Sequence, residues 1–534
     1  MKKNSIKYLS VAGLILAIMM FCRCSDDSYS EKYPDPAKIS DPTCEKLMTG
    51  VFQQSVGALN PGSGGFSAIY IGSFAQVLGR ANAGGRFEAE SYSDPFGQWN
   101  GFYNSMTAFR VLENLYSKLS NADKAENEIF LLIAQLYLYE RLAAVTSVWG
   151  DMPYSEAGTL PLTGNIAAST PKYDSQESIY RLLLTDLKEL NNKLATIQLS
   201  TPAATKLATQ DYIHNGDILK WRRWANSLRL RVGIRLSSQG GLQAEGKAAV
   251  AEILGNEATY PIPTDNDDMV AMYTTAGPDR RWTDLGYNDA SRQHGLAAHA
   301  HLSRMLNNND PRLEITYEPG PGTGLYAGLN PSLPYNSLTD NATDIKLCYS
   351  SVDSSSFRYA NEKIPALVFS AAEIWFIKAE AYQRGIAPGN AEAAFKKAVD
   401  LSVKMYYSIN SGATYKPPVP LPDQSEIDAF TNARWAAIGS EYATAEEAIA
   451  TQKWLNFGFM QAYEAWAELR RTGLPRLRYA TDLGARCPNI PSRLRYPDNE
   501  RRYNPENCPR IEDDNWETSL YWAKDDWCEK FNLE

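Results

Sequence analysis

At 534 residues the chain is long enough for two or three ordinary domains, or for one large helical array. Its formal net charge of -9, its pI near 5.3 and the lack of any basic block argue against a nucleic-acid binder. Tyr is the most abundant aromatic at 31 residues, many of them in loop-like text beside Asn, Gly and Pro, which suits surfaces that stack on flat or amphipathic ligands.

The N-terminus reads as a targeting segment. Lys2, Lys3 and Lys7 form a basic start, and Tyr8 to Phe21 is an apolar run too short for a comfortable membrane span. The run ends at Cys22-Arg23-Cys24, followed by Ser25-Asp26-Asp27. A Cys directly after such a run is where a bacterial lipoprotein is cleaved and acylated. The acidic pair selects Cys24, although bulky or charged residues precede both cysteines and Cys22 stays open as the alternative. Residues 1–23 are then a signal peptide, 24–40 a polar tether, and 41–534 the folded body. Beyond the anchor, Cys44, Cys348, Cys487, Cys508 and Cys528 are odd in number, so they cannot all pair within the chain. Cys487 and Cys508 flank a Pro-rich loop and could close it in an oxidising compartment.

Along the body, helical patterns run from Pro42 to Leu59, from the Trp99–Tyr103 segment through Leu119, and from Ala122 to Val148. The last stops at Trp149-Gly150-Asp151-Met152-Pro153-Tyr154, because Gly and Pro end helices. Asp174 reads as the cap of a helix with Ile179 to Leu194 as its body, followed by a Thr/Ala-rich linker. Gly216-Asp217 then opens a helix that buries Trp221, Trp224, Leu228 and Val232. From about 256 to 360 the periodicity fades and Pro, Gly, Asn, Asp, Tyr and Thr dominate, as in long loops with a few short strands inserted into a helical body.

The stretch from Ser370 to Lys404 is the most informative. Trp375, Ala379 and Tyr382 fall on one helical face. Gly385, Pro388 and Gly389 break it, and Ala391, Phe395 and Ala398 begin a second face. These offsets match a 34-residue tetratricopeptide unit, with Lys378 standing where Leu is usual. Small residues let two helices approach while aromatic rings fill the groove left between them. A Pro-rich loop leads to Ser425, the expected cap of another helix. Gln452 to Arg471 then reads as one helix with an apolar stripe through Leu455, Phe459, Tyr463, Trp466 and Leu469. Gly458, inside it, implies a close backbone contact.

Chemistry-bearing motifs are sparse. Arg229, Arg231 and Arg235 suggest either an anion site or, more simply, ion-paired arginines, since no Gly-rich phosphate loop accompanies them. In a strand, His299 and His301 would share one face, a fair metal geometry, but no Cys or Glu cluster supports them and His294 adds none. Asp265-Asn266-Asp267-Asp268 lacks the Gly and the closing Glu of a calcium loop and reads as a solvated turn. No nucleophile elbow, HExxH, phosphate loop or dinucleotide fingerprint occurs, so neither a catalytic residue nor a cofactor is assigned. A glycosidase with two dispersed carboxylates remains the alternative, because such a pair leaves no local motif.

Taken together, the motifs resemble the SusD/RagB family of outer-membrane nutrient-binding lipoproteins, in its SusD-like branch. The resemblance rests on Trp149-Gly150-Asp151-Met152-Pro153-Tyr154, on Gly216-Asp217 with Ala225-Asn226-Ser227-Leu228-Arg229, and on Asn309-Asp310-Pro311-Arg312-Leu313. Its most specific part is Glu464-Ala465-Trp466 with Arg470-Arg471-Thr472-Gly473 and Pro475, followed by Arg495-Tyr496-Pro497 and Glu500. It implies an all-α-dominated body of tetratricopeptide-like hairpins, a loop-built ligand face, and a SusC-type TonB-dependent barrel as partner at the outer membrane. It also implies an oligosaccharide or glycan ligand, with peptides in some branches. For that face the expected residues are Trp99 and Tyr103, placed as the family often places a binding aromatic, with Trp282, Tyr287 and Tyr326 from the loop-rich insertion.

Overall fold

The computed structural model describes residues 42–55, 70–79, 87, 97–166, 169–272, 295–330, 347–357, 361–413, 415–481 and 487–532. Cys24, the tether, Trp282, Tyr287 and His294 lie outside them.

Helix α1 (Cys44–Ser55) buries Leu47, Met48, Val51 and Phe52, a spacing that makes one continuous apolar face. That face packs on α2 (Gln98–Ser117) and α3 (Asn121–Trp149), and the short strand β1 (Leu78–Gly79) lies between α1 and α2 in sequence. Helix α3 is long and apolar enough to cross a membrane, yet 83% of its apolar stretch is buried inside the protein, so it is a core helix here. Ser120 caps it by accepting from Asp123 N, and Gly150, at φ +93°, ends it where a side chain would strain the backbone.

Helix α4 (Gln176–Thr196) is capped by Ser175, not by Asp174. The Asp174 carboxylate instead accepts from the amides of Tyr154 and Ser155, both at 2.9 Å, and so holds the turn that follows α3. The Thr/Ala-rich linker is in fact helix α5 (Thr201–Gln210), which buries only Ala203 and Leu207. A ridge that thin leaves too faint a periodicity to read. Helices α6 (Ile218–Leu236) and α7 (Gln243–Gly255) approach closely, since a Cβ on Gly246 would sit 2.7 Å from the Gly233 carbonyl.

The insertion has the expected short strands and also helical segments of its own. β2 (Val270–Met272), β3 (Leu296–Ala297), α8 (His299–Asn307), β4 (Tyr317–Glu318) and β5 (Ser351–Val352) precede β6 (Ala366–Phe369). One sheet has the order β1-β3-β5-β4, antiparallel throughout, and β2 pairs antiparallel with β6. His299 and His301 therefore lie on a helix and do not share a strand face. His301 is fully buried, its Nδ1 2.9 Å from the Tyr317 hydroxyl and its ring edge-on to Trp454.

Helices α9 (Ala371–Gln383) and α10 (Ala391–Asn410) form the tetratricopeptide-like pair. Ala379, Phe395 and Ala398 are buried in the seam, and Trp375 and Tyr382 are half-buried at its edge. Gly389 is required there, because a Cβ would lie 2.5 Å from the Tyr382 ring. Lys378, in place of Leu, stays buried because its ammonium pairs with Glu257 at 2.7 Å and sits 4.2 Å from the Trp375 ring centroid. Asp423, rather than Ser425, caps α11 (Gln424–Ala436), in a capping box with Glu426.

The expected helix over Gln452 to Arg471 is two helices, α12 (Ala445–Phe457) and α13 (Ala462–Thr472). The chain breaks at Gly458, whose φ of +47° admits almost only glycine, and a Cβ there would stand 2.8 Å from the Tyr406 hydroxyl. The apolar stripe survives the break because both helices bury it in the same core. β7 (Arg478–Thr481) and β8 (Glu529–Asn532) pair in parallel and close the C-terminal segment, with Trp516, Trp522 and Trp527 buried beneath it. Three long-range bonds then seal the start of the body to its end. Trp454 Nε1 donates to Ala75 O (2.8 Å), Gln76 Nε2 to Arg478 O (2.7 Å), and the Tyr479 hydroxyl to Phe74 O (2.6 Å).

Candidate functional site

Two places in the fold carry the expected ligand-face residues that fall within the described chain. The first is built where α2 and α3 meet the C-terminal segment. Trp99, near the start of α2, is only 2% exposed. Tyr103, Trp149 and Tyr496 surround its ring at centroid distances of 5.1, 5.5 and 5.7 Å. Trp99 is thus a core residue in this structure, because neighbouring rings crowd the surface that a ligand would need. Tyr103 is half-buried and its hydroxyl donates to Pro153 O at 2.8 Å, which ties α2 to the turn after α3. Burial, then Glu500, raises its phenol well above the usual range.

The polar rim of this cluster is the part that sequence reasoning passed over. Asn499 Nδ2 donates to Asn100 Oδ1 at 2.8 Å on the surface. Beside them, Glu500 Oε1 accepts from the Tyr173 hydroxyl (3.2 Å) and from Asn504 Nδ2 (2.9 Å), and burial pushes its carboxyl up. Asn100 stands directly after Trp99 in sequence, so the only available signal was its position. Amides and a carboxyl of this kind can exchange hydrogen bonds with ligand hydroxyls.

The second place is the loop from Gly320 to Leu329, between β4 and β5. Gly320 and Gly328 let it press onto its neighbours: a Cβ would lie 2.5 Å from Cys348 O at the first and 2.6 Å from His299 Cα at the second. Ser350 N donates to Ala327 O (2.8 Å), and Gly322 N to Leu347 O (2.8 Å). Held in this way, Tyr326 is half-buried, and Leu325 (67% exposed) and Leu347 (44%) stand exposed on the same pair of segments. Burial, then the carboxylates of Glu314, Asp353 and Glu318, raises the Tyr326 phenol. An aromatic edge with two leucines and an acidic surround suits a neutral or cationic amphipathic ligand better than an anionic one.

The remaining candidates have structural partners. Arg229 pairs with Glu252 (2.5 Å), Arg231 with Glu373 (2.6 Å) and Arg235 with Glu464 (2.5 Å), so the ion-paired reading holds for all three. Asp268 pairs with Arg223 at 2.5 Å, and Asp265 caps its own short turn through Asp267 N. Cys487 and Cys508 are both thiols rather than a bridged pair, the first donating to Asn489 O at 3.3 Å. Among the described residues, His, Cys, Asp and Glu side chains gather into no group able to hold a metal ion.

The site thus lies on a helical scaffold with a tetratricopeptide-like seam, which presents loops from one inserted region. The chain belongs to the SusD-like family, described as starch-binding associating with outer membrane, whose sequence profile it matches over residues 39–497. Among solved structures it resembles a chitin-binding protein at 26% identity, with a TM-score of 0.69, 90% of this chain and 100% of that one being covered. A SusD homologue from Bacteroides fragilis (21% identity, TM-score 0.69, 90% and 100% covered) shares the fold. So does one from Parabacteroides distasonis (20%, TM-score 0.70, 92% and 100%). No curated protein matches the chain.

Proposed function

We propose that this protein is a lipid-anchored receptor at the cell surface that captures an oligosaccharide and passes it to a SusC-type TonB-dependent barrel. Cys24 is the acylated residue in this reading, and Trp282, Tyr287 and Tyr326 supply the stacking surface. The observation that carries it is the family match across most of the body. The likeness to a chitin-binding protein, the one quoted structure above 25% identity, makes N-acetylglucosamine oligomers the first ligands to try. The half-buried Tyr326, with its acidic neighbours, suits such a neutral sugar.

Incubating the purified protein with a panel of chitin, starch and other oligosaccharides tests this reading. Retention of a glycan without turnover is the expected result. Product formation would make the protein a hydrolase instead, and binding of peptides alone would move it to another branch of the family. Acyl chains found on Cys22 by mass spectrometry would overturn the Cys24 assignment.

A further inference from the structure

The segment between Tyr154 and Asp174 projects from the body as a prong. Its neck is closed by the paired backbones of Met152 and Asp174 and by the two amides that the Asp174 carboxylate holds. Its root is clamped to α2. Arg110 Nε donates to Ala157 O (3.3 Å), its Nη2 to Tyr154 O (3.4 Å) and Ser155 O (3.3 Å), and a Cβ on Gly158 would lie 2.8 Å from Met106 Cγ. Beyond that root every residue from Leu160 to Ile166 is exposed, with Leu160 at 40%, Leu162 at 41% and Ile166 at 78%. No Asp, Glu, Lys or Arg stands between Glu156 and Lys172, although 22% of the chain is charged. Charge returns at the base, where Arg110 pairs with Glu113 at 2.9 Å and Lys172 N donates to Glu156 Oε2 at 3.2 Å.

The N-terminal chain joins the body beside this root. Helices α1 and α2 run antiparallel: Ser105 Oγ donates to Val51 O (2.8 Å) and lies 2.7 Å from Ser55 Oγ, and a Cβ on Gly101 would meet Ser55 Cβ at 3.3 Å. The same register carries Cys44, the first residue of α1, to the level of Leu112, within one turn of Arg110. The prong and the entering chain therefore share one level of α2. Counted from Cys24, the chain reaches Cys44 in about 20 residues, which span at most about 70 Å when extended.

An aliphatic tip without Tyr, Trp or Arg is a poor centre for a protein interface, which draws most of its energy from those residues. Apolar at its end and charged at its collar, it has the chemistry of a loop that dips into the edge of a bilayer. We propose that Leu160, Leu162 and Ile166 insert into the acyl region of the membrane that carries the anchor, and so fix the tilt of the body above it. This rests on the reading that Cys24 is acylated, because the anchor brings the tip within reach. A tether alone leaves the body free to turn. A second contact at the level where the chain enters removes that freedom.

The test uses full chains on vesicles of equal parts phosphatidylethanolamine and phosphatidylglycerol, with and without brominated acyl chains. Ile166→Trp adds an indole at the tip, and Leu421→Trp adds one at an exposed site in the loop before α11. In the acylated protein, bromine should quench the added emission of Ile166→Trp by about half and leave that of Leu421→Trp unchanged. An unacylated chain, Cys22→Ala with Cys24→Ala, should still partition weakly into the vesicles. Leu160→Ser, Leu162→Ser and Ile166→Ser together should lower that partition coefficient about tenfold, with a parental melting temperature because all three side chains are exposed. Equal quenching of the two indoles, or a partition coefficient that the three serines leave unchanged, would overturn the inference. So would a tip shielded only when a barrel partner is added, or a dimer that the serines dissolve, since either assigns the face to protein. Mass spectrometry of the cysteines reads the anchor separately, and glycan binding enters none of these readouts, so the failure of one reading is distinguishable from that of another.

Discussion

Arg471 holds Glu380 through two parallel hydrogen bonds of 2.7 Å each, and so joins α13 to α9 inside the core. The same guanidinium reaches Glu468, which Lys453 also holds at 2.8 Å. These cations keep both carboxyls below the usual carboxylate range despite their burial. Arg471→Ala would leave two buried carboxylates under-compensated. It should cost about 3–5 kcal/mol in denaturant unfolding. Arg471→Lys keeps the charge but loses the fork, and should fall between that variant and the parent.

Gly458 gives a second, purely steric prediction. Ala at this position must adopt φ +47° and also meet the Tyr406 hydroxyl. Gly458→Ala should lower stability by about 1–3 kcal/mol. Adding Tyr406→Phe, which removes the obstructing oxygen, should recover part of that loss in a thermal melt. No recovery would place the whole cost in the backbone.

Acid sensitivity follows from two buried histidines. Burial, then Lys220, lowers His214 from 6.5 to about 3. Burial, then Arg312 and Arg304, does the same for His301. Both rings are neutral in the fold, whereas the unfolded chain protonates them below about 6.5, so the unfolded state binds more protons. Stability is then complete above pH 6.5 and falls as pH drops towards 3, by at most about 1.4 kcal/mol per pH unit for each ring. Replacing both histidines with Gln should flatten the slope between pH 6.5 and 4.5 in equilibrium unfolding. Below 4.5 the protonation of Glu380 and Glu468 steepens it again, because their folded values are depressed and their contribution disappears with acid.

The two groups of aromatics should separate cleanly under mutation. Trp99→Ala removes a core ring and should cost about 3–5 kcal/mol of stability. Trp282→Ala should weaken glycan binding by about 2 kcal/mol or more while the melting temperature barely moves. Calorimetry and a thermal scan on both variants decide the matter. A stable Trp282→Ala protein with parental affinity would mean that the ligand face lies elsewhere.

The helical body was legible because its signals are local. The interlock of Trp375, Ala379 and Tyr382 with Phe395 and Ala398 needs only two neighbouring helices, and its spacing is written in 30 or so residues. The break at Gly458 was not legible. A glycine inside an apolar stripe looks the same whether the helix tolerates it or ends there, and only the Tyr406 hydroxyl, brought from α10, distinguishes the two. Trp99 failed as a surface residue for a similar reason: the rings that enclose it come from Trp149 and Tyr496, one of them nearly 400 residues away in the chain. Arg470 was read only as part of a motif. That its neighbours are carbonyls rather than carboxylates is a fact of tertiary packing, which spacing does not encode.

The bonds from Phe74, Ala75 and Gln76 to the far end of the body set a timetable. Their partners Tyr479, Trp454 and Arg478 follow 405, 379 and 402 positions later. At ordinary rates of synthesis the early segment waits about 20–80 seconds before anything exists for it to bond. Helix pairs such as α9 and α10 can zip together as they emerge, but loop closure over such a span comes late. The newborn chain therefore remains unfinished at its beginning until its end has been made.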